Sequence, residues 1–89
     1  MKVSWSREAL DNLKEIRRYI ARHDPRAAAH VANTIRRTRD LLRRYPLAGH
    51  EGREPGTREL VAGKYLVVHS VTEHLVVILA VVDGRRDRP

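Results

Sequence analysis

Arginine dominates the groups in this chain that could do chemistry. The 89 residues carry 18 Lys and Arg against 11 Asp and Glu, a formal charge of +7, and only Lys2, Lys14 and Lys64 are lysines. A guanidinium forks onto a phosphate or carboxylate in a way an ammonium cannot. The chemistry on offer is therefore recognition of an acidic protein, a nucleic acid or a nucleoprotein assembly. Arginines cluster at Arg36, Arg37, Arg39, Arg43 and Arg44, and again in the tail Arg85-Arg86-Asp87-Arg88-Pro89. The first cluster reads most simply as a solvated helix face that can steer an acidic partner and so raise its on-rate. The tail is the stronger candidate for recognition. Its charges follow directly on a strand, and nothing in a core requires them. Arg58 stands alone between Thr57 and Glu59, where pairing across a sheet and a role in binding are equally open. His69 lies in mid-strand and could act as acid or base, although a lone strand His is more often structural. Tyr65 reads as packing rather than chemistry. His23, His30, His50 and His74 share no metal-ligand spacing, and there is no cysteine. Disulfides and thiolate metal sites are excluded, a reducing cytoplasm suits the chain, and no metal or cofactor is expected.

The elements that must position these groups follow from periodicity. Leu75 to Val82 is an unbroken apolar run closed by Asp83-Gly84. It reads as a strand buried on both faces, the central strand of a sheet, and it is too short to span a membrane as a helix. Lys2 to Trp5 is a short first strand at a sheet edge. Ser6 caps a helix whose stripe is Ala9, Leu13, Ile16 and Ile20, with Leu10 beside it. His23-Asp24-Pro25 breaks it; Asp24 caps a second helix with Pro25 at its first position. That helix's stripe runs Ala28, Val31, Ile35, Thr38, Leu42 and Tyr45, and Pro46 ends it. So short a connection makes the two helices an antiparallel hairpin, and Ala27-Ala28-Ala29 near the corner lets them approach closely. Leu47 to Gly56, rich in Gly and Pro, reads as an adjustable loop rather than a strand. Thr57–Val61 and Tyr65–Val71 are strands joined by a Gly63-Lys64 turn, and Thr72-Glu73 leads into the last run. The sum is one α+β domain over residues 1–89, β-α-α-β-β-β, with helices on one side of an antiparallel meander. A chain of this length buries roughly 60–65% of its unfolded surface, and with no Phe its core must be aliphatic. The N-terminal residues lead into a charged helix, not an apolar signal region, so a cytoplasmic location without membrane insertion is expected.

Trp5 in a short first strand, Tyr19-Ile20-Ala21, Asp24-Pro25-x-Ala27-Ala28, Tyr45-Pro46, Gly56-Thr57-Arg58-Glu59-Leu60-Val61, Tyr65-Leu66-Val67-Val68 and the ending Asp83-Gly84-Arg85-Arg86-Asp87-Arg88-Pro89 occur in that order. Together they resemble the RelE/ParE superfamily of bacterial toxins from type II toxin–antitoxin systems, across essentially the whole chain. The family's known element order is also the one read above from periodicity and breakers.

The resemblance implies one of two actions. RelE-like members are ribosome-dependent endoribonucleases acting on mRNA; ParE-like members share the fold and poison DNA gyrase. Metal-free RNA cleavage needs a base for the 2′-hydroxyl, a cation for the phosphorane and an acid for the leaving oxygen. In RelE-like toxins an Arg follows the Gly-Tyr that opens the middle strand; here Leu66 follows Tyr65. The strand before supplies lysines there; here it supplies Arg58, followed by Glu59. The family's C-terminal Tyr has no counterpart before Pro89, and only Arg85 or Arg86 could match its C-terminal Arg. The resemblance therefore points to the ParE-like branch, with no catalytic residue assigned. Arg58, His69, Arg85 and Arg86 are the set a cleaving alternative would use, and a non-toxic antitoxin-binding homologue is a third reading. As a ParE-like toxin the chain is expected to present Arg58, Tyr65, Arg85, Arg86 and Arg88 to its target. It is also expected to accept an acidic antitoxin that folds on binding, in a groove between the helical stripe (Leu13, Ile16, Ile20, Val31, Ile35) and the sheet edge. Operator DNA would be reached through the antitoxin.

Overall fold

The computed structural model describes residues 1–85. Seven elements run in the order β1 (Lys2–Trp5), α1 (Arg7–Ala21), α2 (Pro25–Arg44), β2 (His50–Glu51), β3 (Arg58–Ala62), β4 (Tyr65–Val71) and β5 (Leu75–Asp83). The strands form one mixed sheet in the order β1-β5-β4-β3-β2. β3, β4 and β5 are the antiparallel meander expected, and β1 adds parallel to β5 at one edge.

Both helices start where the sequence places caps. Ser6 Oγ accepts from Ala9 N–H at 3.0 Å, and Asp24 Oδ1 accepts from Ala27 N–H at 3.1 Å. Each cap satisfies one of the amides that a first helical turn leaves without an intrahelical partner. The hairpin lies on one face of the sheet. Ala9, Leu13, Ala32, Ile35 and Leu42 from the helices meet Ala62, Tyr65, Val67, Val76, Ile78 and Val81 from the strands in one core. Ile35 and Leu42 are fully buried, and each such side chain contributes about 1.5–3 kcal/mol by leaving water.

Ser6 has a second role. Its N–H donates to Ile78 O at 2.9 Å and its Oγ donates to Leu79 O at 2.9 Å. Asn12 Oδ1 accepts from Val81 N–H at 3.0 Å. β1 pairs with β5 only as far as Trp5 against Ile78. Past that point, the Ser6 cap and the Asn12 side chain of α1 take up backbone groups of β5, which fixes the helix on the strand. A register irregularity between Val68 and His69 of β4 falls in the same stretch of the ladder.

The structure corrects four sequence expectations. His50–Glu51, read as loop, is a two-residue edge strand against Arg58–Glu59; it exists only through that distant pairing. The run from Leu75 is an interior strand, but β4 holds the middle of the sheet. It is buried on one face only: Val76, Ile78 and Val81 face the helices, while Val77, Ala80 and Val82 stay half-exposed. Both helices of the described chain lie on the same side, so no layer is left for the other. Tyr45, placed in the α2 stripe, is 61% exposed. The helix ends at Arg44, and Tyr45 leaves it with φ −129° and ψ 76°, as the clash with a following Pro requires.

Candidate functional site

The expected site residues separate into two ends of the sheet. Arg58 pairs with His69 at one end, while Tyr65 pairs with Asp83 at the other. Four residue steps along β4, about 13 Å at 3.3 Å per residue, separate His69 from Tyr65. Arg85 follows β5 at the Tyr65 end, its N–H donating to Asp83 Oδ1 at 2.9 Å. Arg86 and Arg88 lie outside the described residues.

The Arg58 end is structural. Arg58 Nε donates to Leu47 O and its Nη2 to Gly49 O, both at 3.0 Å. His69 is fully buried, and its Nε2–H donates to Pro46 O at 3.2 Å. Three carbonyls of the chain leaving α2 are thus captured by Arg58 and His69, two of the residues a cleaving alternative would use. Glu59 projects from the opposite face of β3 and holds the same loop from behind. His50 Nε2 lies 3.2 Å from its Oε1, and Arg53 N–H donates to its Oε2 at 3.3 Å. Gly49, at φ +90°, closes the arrangement: a Cβ there would collide with the Glu59 carbonyl. The segment expected to adjust is therefore pinned on both faces of β3. Burial holds the His69 imidazole below its usual pKa. The Pro46 carbonyl, and more weakly that of Val67, opposes this, and Arg58 reinforces it. Its Nδ1 is buried with no partner at hydrogen-bonding geometry. A neutral ring enclosed in this way reaches no external substrate.

The Tyr65 end is open. A groove of about 590 Å³ runs between α1 and the end of the β4–β5 ladder, bordered by Asn12, Ile16, Tyr19, Ile20, Lys64 and Arg85 among others. Val81 to Asp83 supply its β-strand wall, in the part of β5 that has run past β1. Ile16 and Ile20 are half-buried and give it an apolar side, and Tyr19 is 66% exposed at its border. Charges of both signs surround it: Lys64 and Arg85 against Glu15 and Asp83. The Arg85 N–H, aided by the Arg85 guanidinium, holds the Asp83 carboxyl below its ordinary pKa. Burial, with the Asp83 carboxylate second, raises that of the Tyr65 phenol. The groove can take an extended or helical peptide segment with an apolar anchor, and its strand edge can add hydrogen bonds.

Of the stripe expected to receive a partner, Ile16 and Ile20 line this groove. Leu13 and Ile35 do not, because they are core residues enclosed between the helices and the sheet, and Val31 packs partly buried against that core. Asn12, Glu15, Tyr19, Lys64 and Asp83 were not foreseen. Glu15 and Tyr19 are one helical turn apart, a local signal for a shared face. Lys64 and Arg85 are neighbours only through the register that sets Tyr65 against Asp83, which no local pattern carries.

A family model described as the ParE toxin of type II toxin–antitoxin system, parDE, matches residues 3–88. A Sinorhizobium fredii protein named "Putative toxin Y4kP" is 37% identical over 90 residues, covering 99% of this chain and 93% of that protein. Among solved structures, the one titled "Chromosomal ParDE TA system from P. aeruginosa" superposes with a TM-score of 0.84 at 22% identity, over 93% of this chain and 95% of that one. At that identity the superposition establishes the fold. The family rests on the model, which spans nearly the whole chain, and on the Sinorhizobium relative: this chain belongs to the ParE toxin family of type II toxin–antitoxin systems.

Proposed function

We propose that this ParE-family toxin acts by inhibiting DNA gyrase, without cutting RNA, and that a cognate antitoxin neutralises it by occupying the groove between α1 and the β4–β5 end. The observation that carries inhibition over cleavage is the dispersal of the cleavage set. A phosphodiester needs acid, base and cation within hydrogen-bond reach of one reacting centre. Here His69 and Arg58 are committed to loop carbonyls about 13 Å of strand away from Tyr65 and Arg85. Arg85, continuing into Arg86 and Arg88, is the proposed contact to the target. Ile16, Ile20 and Tyr19 would seat an apolar anchor of the antitoxin, with Lys64 and Arg85 drawing its acidic residues. No helix among the described residues is long and apolar enough to cross a membrane, and the proposed place of action is the cytoplasm.

The experiment is supercoiling of relaxed plasmid by gyrase, titrated with the purified chain in the presence and absence of its antitoxin. Inhibition with accumulated cleaved DNA, reversed by antitoxin, is expected. Normal supercoiling with folded, antitoxin-competent protein would overturn the reading. Ribosome-positioned mRNA cuts on induction would replace it with cleavage, and the absence of any growth effect would replace it with a non-toxic homologue.

A further inference from the structure

The outward face of α2 carries a charge pattern that neither the fold nor the groove uses. Between Pro25 and Arg44 the helix holds six arginines, Arg26, Arg36, Arg37, Arg39, Arg43 and Arg44, against the single acid Asp40. All six are exposed. In α1, by contrast, Glu8, Asp11 and Glu15 are interspersed with the basic residues. The buried side of α2 is Ala28, Ala32, Ile35, Thr38 and Leu42. At 100° per residue, Arg26, Arg37 and Arg44 lie along the opposite line, with Arg36 and Arg43 on one flank about 90° round from it and Arg39 nearer the buried side. The line is about 27 Å long at 1.5 Å per residue. Among the described residues only Arg39 of these six has an acidic partner, Asp40, at 3.8 Å. Arg36 with Arg39 and Arg39 with Arg43 are like-charged neighbours three and four residues apart, which works weakly against helix stability.

We infer that this ridge is a docking surface for the phosphate backbone of duplex DNA, gripped without regard to sequence. Charge complementarity names the occupant. A duplex presents anions at a density of one per about 1.7 Å of axis, both strands counted, and the ridge would run beside about eight base pairs of it at 3.4 Å each. A folded protein partner is held chiefly by well-packed, desolvated side chains at the centre of its interface, and all six of these arginines are exposed. The line from Arg26 to Arg44 carries His30 and Asn33 between its arginines; the large apolar side chain beside it, Leu41, is 41% exposed, lies about 60° round the helix and stands toward one end rather than at the centre. Single strands are held by stacking on aromatics, and this line has none. The choice of Arg throughout suits phosphate, which accepts the guanidinium fork. The contact would be the toxin's own, in addition to whatever DNA an antitoxin holds, and it does not depend on the gyrase reading.

The test is fluorescence anisotropy of a random-sequence 20-base-pair duplex with the purified chain alone, across a salt series. A variant carrying Arg26→Gln, Arg37→Gln and Arg44→Gln is compared with one carrying Arg7→Gln, Arg18→Gln and Arg53→Gln, which lowers the net charge equally. Each phosphate contact adds about 0.9 to the log–log salt slope. The ridge variant should therefore lose about 2.7 from the slope and at least roughly tenfold in affinity, while the control stays within about twofold. Circular dichroism verifies folding; should the triple ridge variant unfold, Arg37→Gln with Arg44→Gln supplies the comparison, with a slope loss of about 1.8. Equal losses in ridge and control variants would show net charge alone at work and overturn the inference. So would an unchanged ridge variant, or an acidic peptide such as poly-glutamate binding the ridge more tightly than the duplex does.

Discussion

Replacing Arg58 separates its two readings, a contact to a partner and an anchor for the protein's own loop. In the structure its guanidinium makes two hydrogen bonds of 3.0 Å, to carbonyls two residues apart. A hydrogen bond from a charged donor contributes about 1.5–3 kcal/mol when sequestered. These two are open to solvent, and Arg58 is only half-buried, so screening reduces the pair to about 1–2 kcal/mol in all. For a domain of this size that is a fall in Tm of roughly 5–12 °C. Arg58→Ala should show it in thermal unfolding followed by circular dichroism, and amides of the loop after Pro46 should exchange faster. Arg58→Lys decides the matter. It keeps the charge but cannot fork to two carbonyls, so it should lose most of the same stability. Below its Tm, either folded variant should inhibit the target as the parent does. The reasoning is refuted if Arg58→Ala melts within about 2 °C of the parent yet loses inhibition, and Arg58→Lys restores it. That outcome would mean that the charge, not the fork, is what matters.

Gly49→Ala should destabilise the fold by about 1–3 kcal/mol, read in urea unfolding, because φ is +90° and the new Cβ meets the Glu59 carbonyl; a neutral effect would mean the loop is not pinned as described. His69 is kept neutral in the folded state, so below its ordinary pKa of about 6.5 the unfolded chain binds the extra proton. Its stability contribution is fully present above that pH and is lost as pH falls below it toward the depressed folded value, at no more than about 1.4 kcal/mol per pH unit. Unfolding free energies measured at a series of pH values from neutral to about 5 should show this slope, and His69→Gln should flatten it; an unchanged slope would place the proton elsewhere. Lys64→Glu with Arg85→Glu should cost only a little stability, since both groups are exposed, but should slow association with an acidic antitoxin several-fold and weaken its salt dependence, as stopped-flow kinetics would report.

Locally encoded features were legible in the sequence and relational ones were not. The helix starts at Ser6 and Asp24-Pro25, the stripe from Ala9 to Ile20 and the turn at Gly63-Lys64 each depend on a few neighbouring residues, and each is in place. The two-residue β2 has no propensity of its own; His50 and Glu51 are strand because Arg58 and Glu59 lie opposite. The run Leu75 to Val82 lacks alternation, which suggested two covered faces. Its outer face is apolar without being covered, so the pattern carried hydrophobicity but not the number of layers. Leu13 and Ile16 belong to one stripe, yet Leu13 is core and Ile16 borders the groove. Which turn of α1 overhangs the sheet is set by where β1 stops, at Trp5 against Ile78, and the stripe does not contain that.

The same distinction accounts for the fate of the polar residues. Arg58, Glu59 and His69 drew notice because their side chains are chemically versatile, and the fold uses that versatility on its own backbone. The strands and helices answer their own N–H and C=O groups, but the chain from Pro46 to Gly56 has only a two-residue strand and a few turn bonds, such as Ala48 N–H to Tyr45 O and Gly52 N–H to Thr57 O, to do so. Its carbonyls at Pro46, Leu47 and Gly49 and its amide at Arg53 are instead met by side chains from β3 and β4. A residue in that role must sit within reach of a loop, on a strand, half-buried or deeper, and a catalytic group meets the same description. What separates the two is a free functional atom facing an opening. Arg58 and Glu59 spend theirs on the loop, and the one unpaired nitrogen of His69 is buried. Lys64, Arg85 and the α2 arginines lie at the surface, Arg85 and Arg39 beside an acidic neighbour, where binding rather than bond-breaking is the chemistry that charge alone can supply.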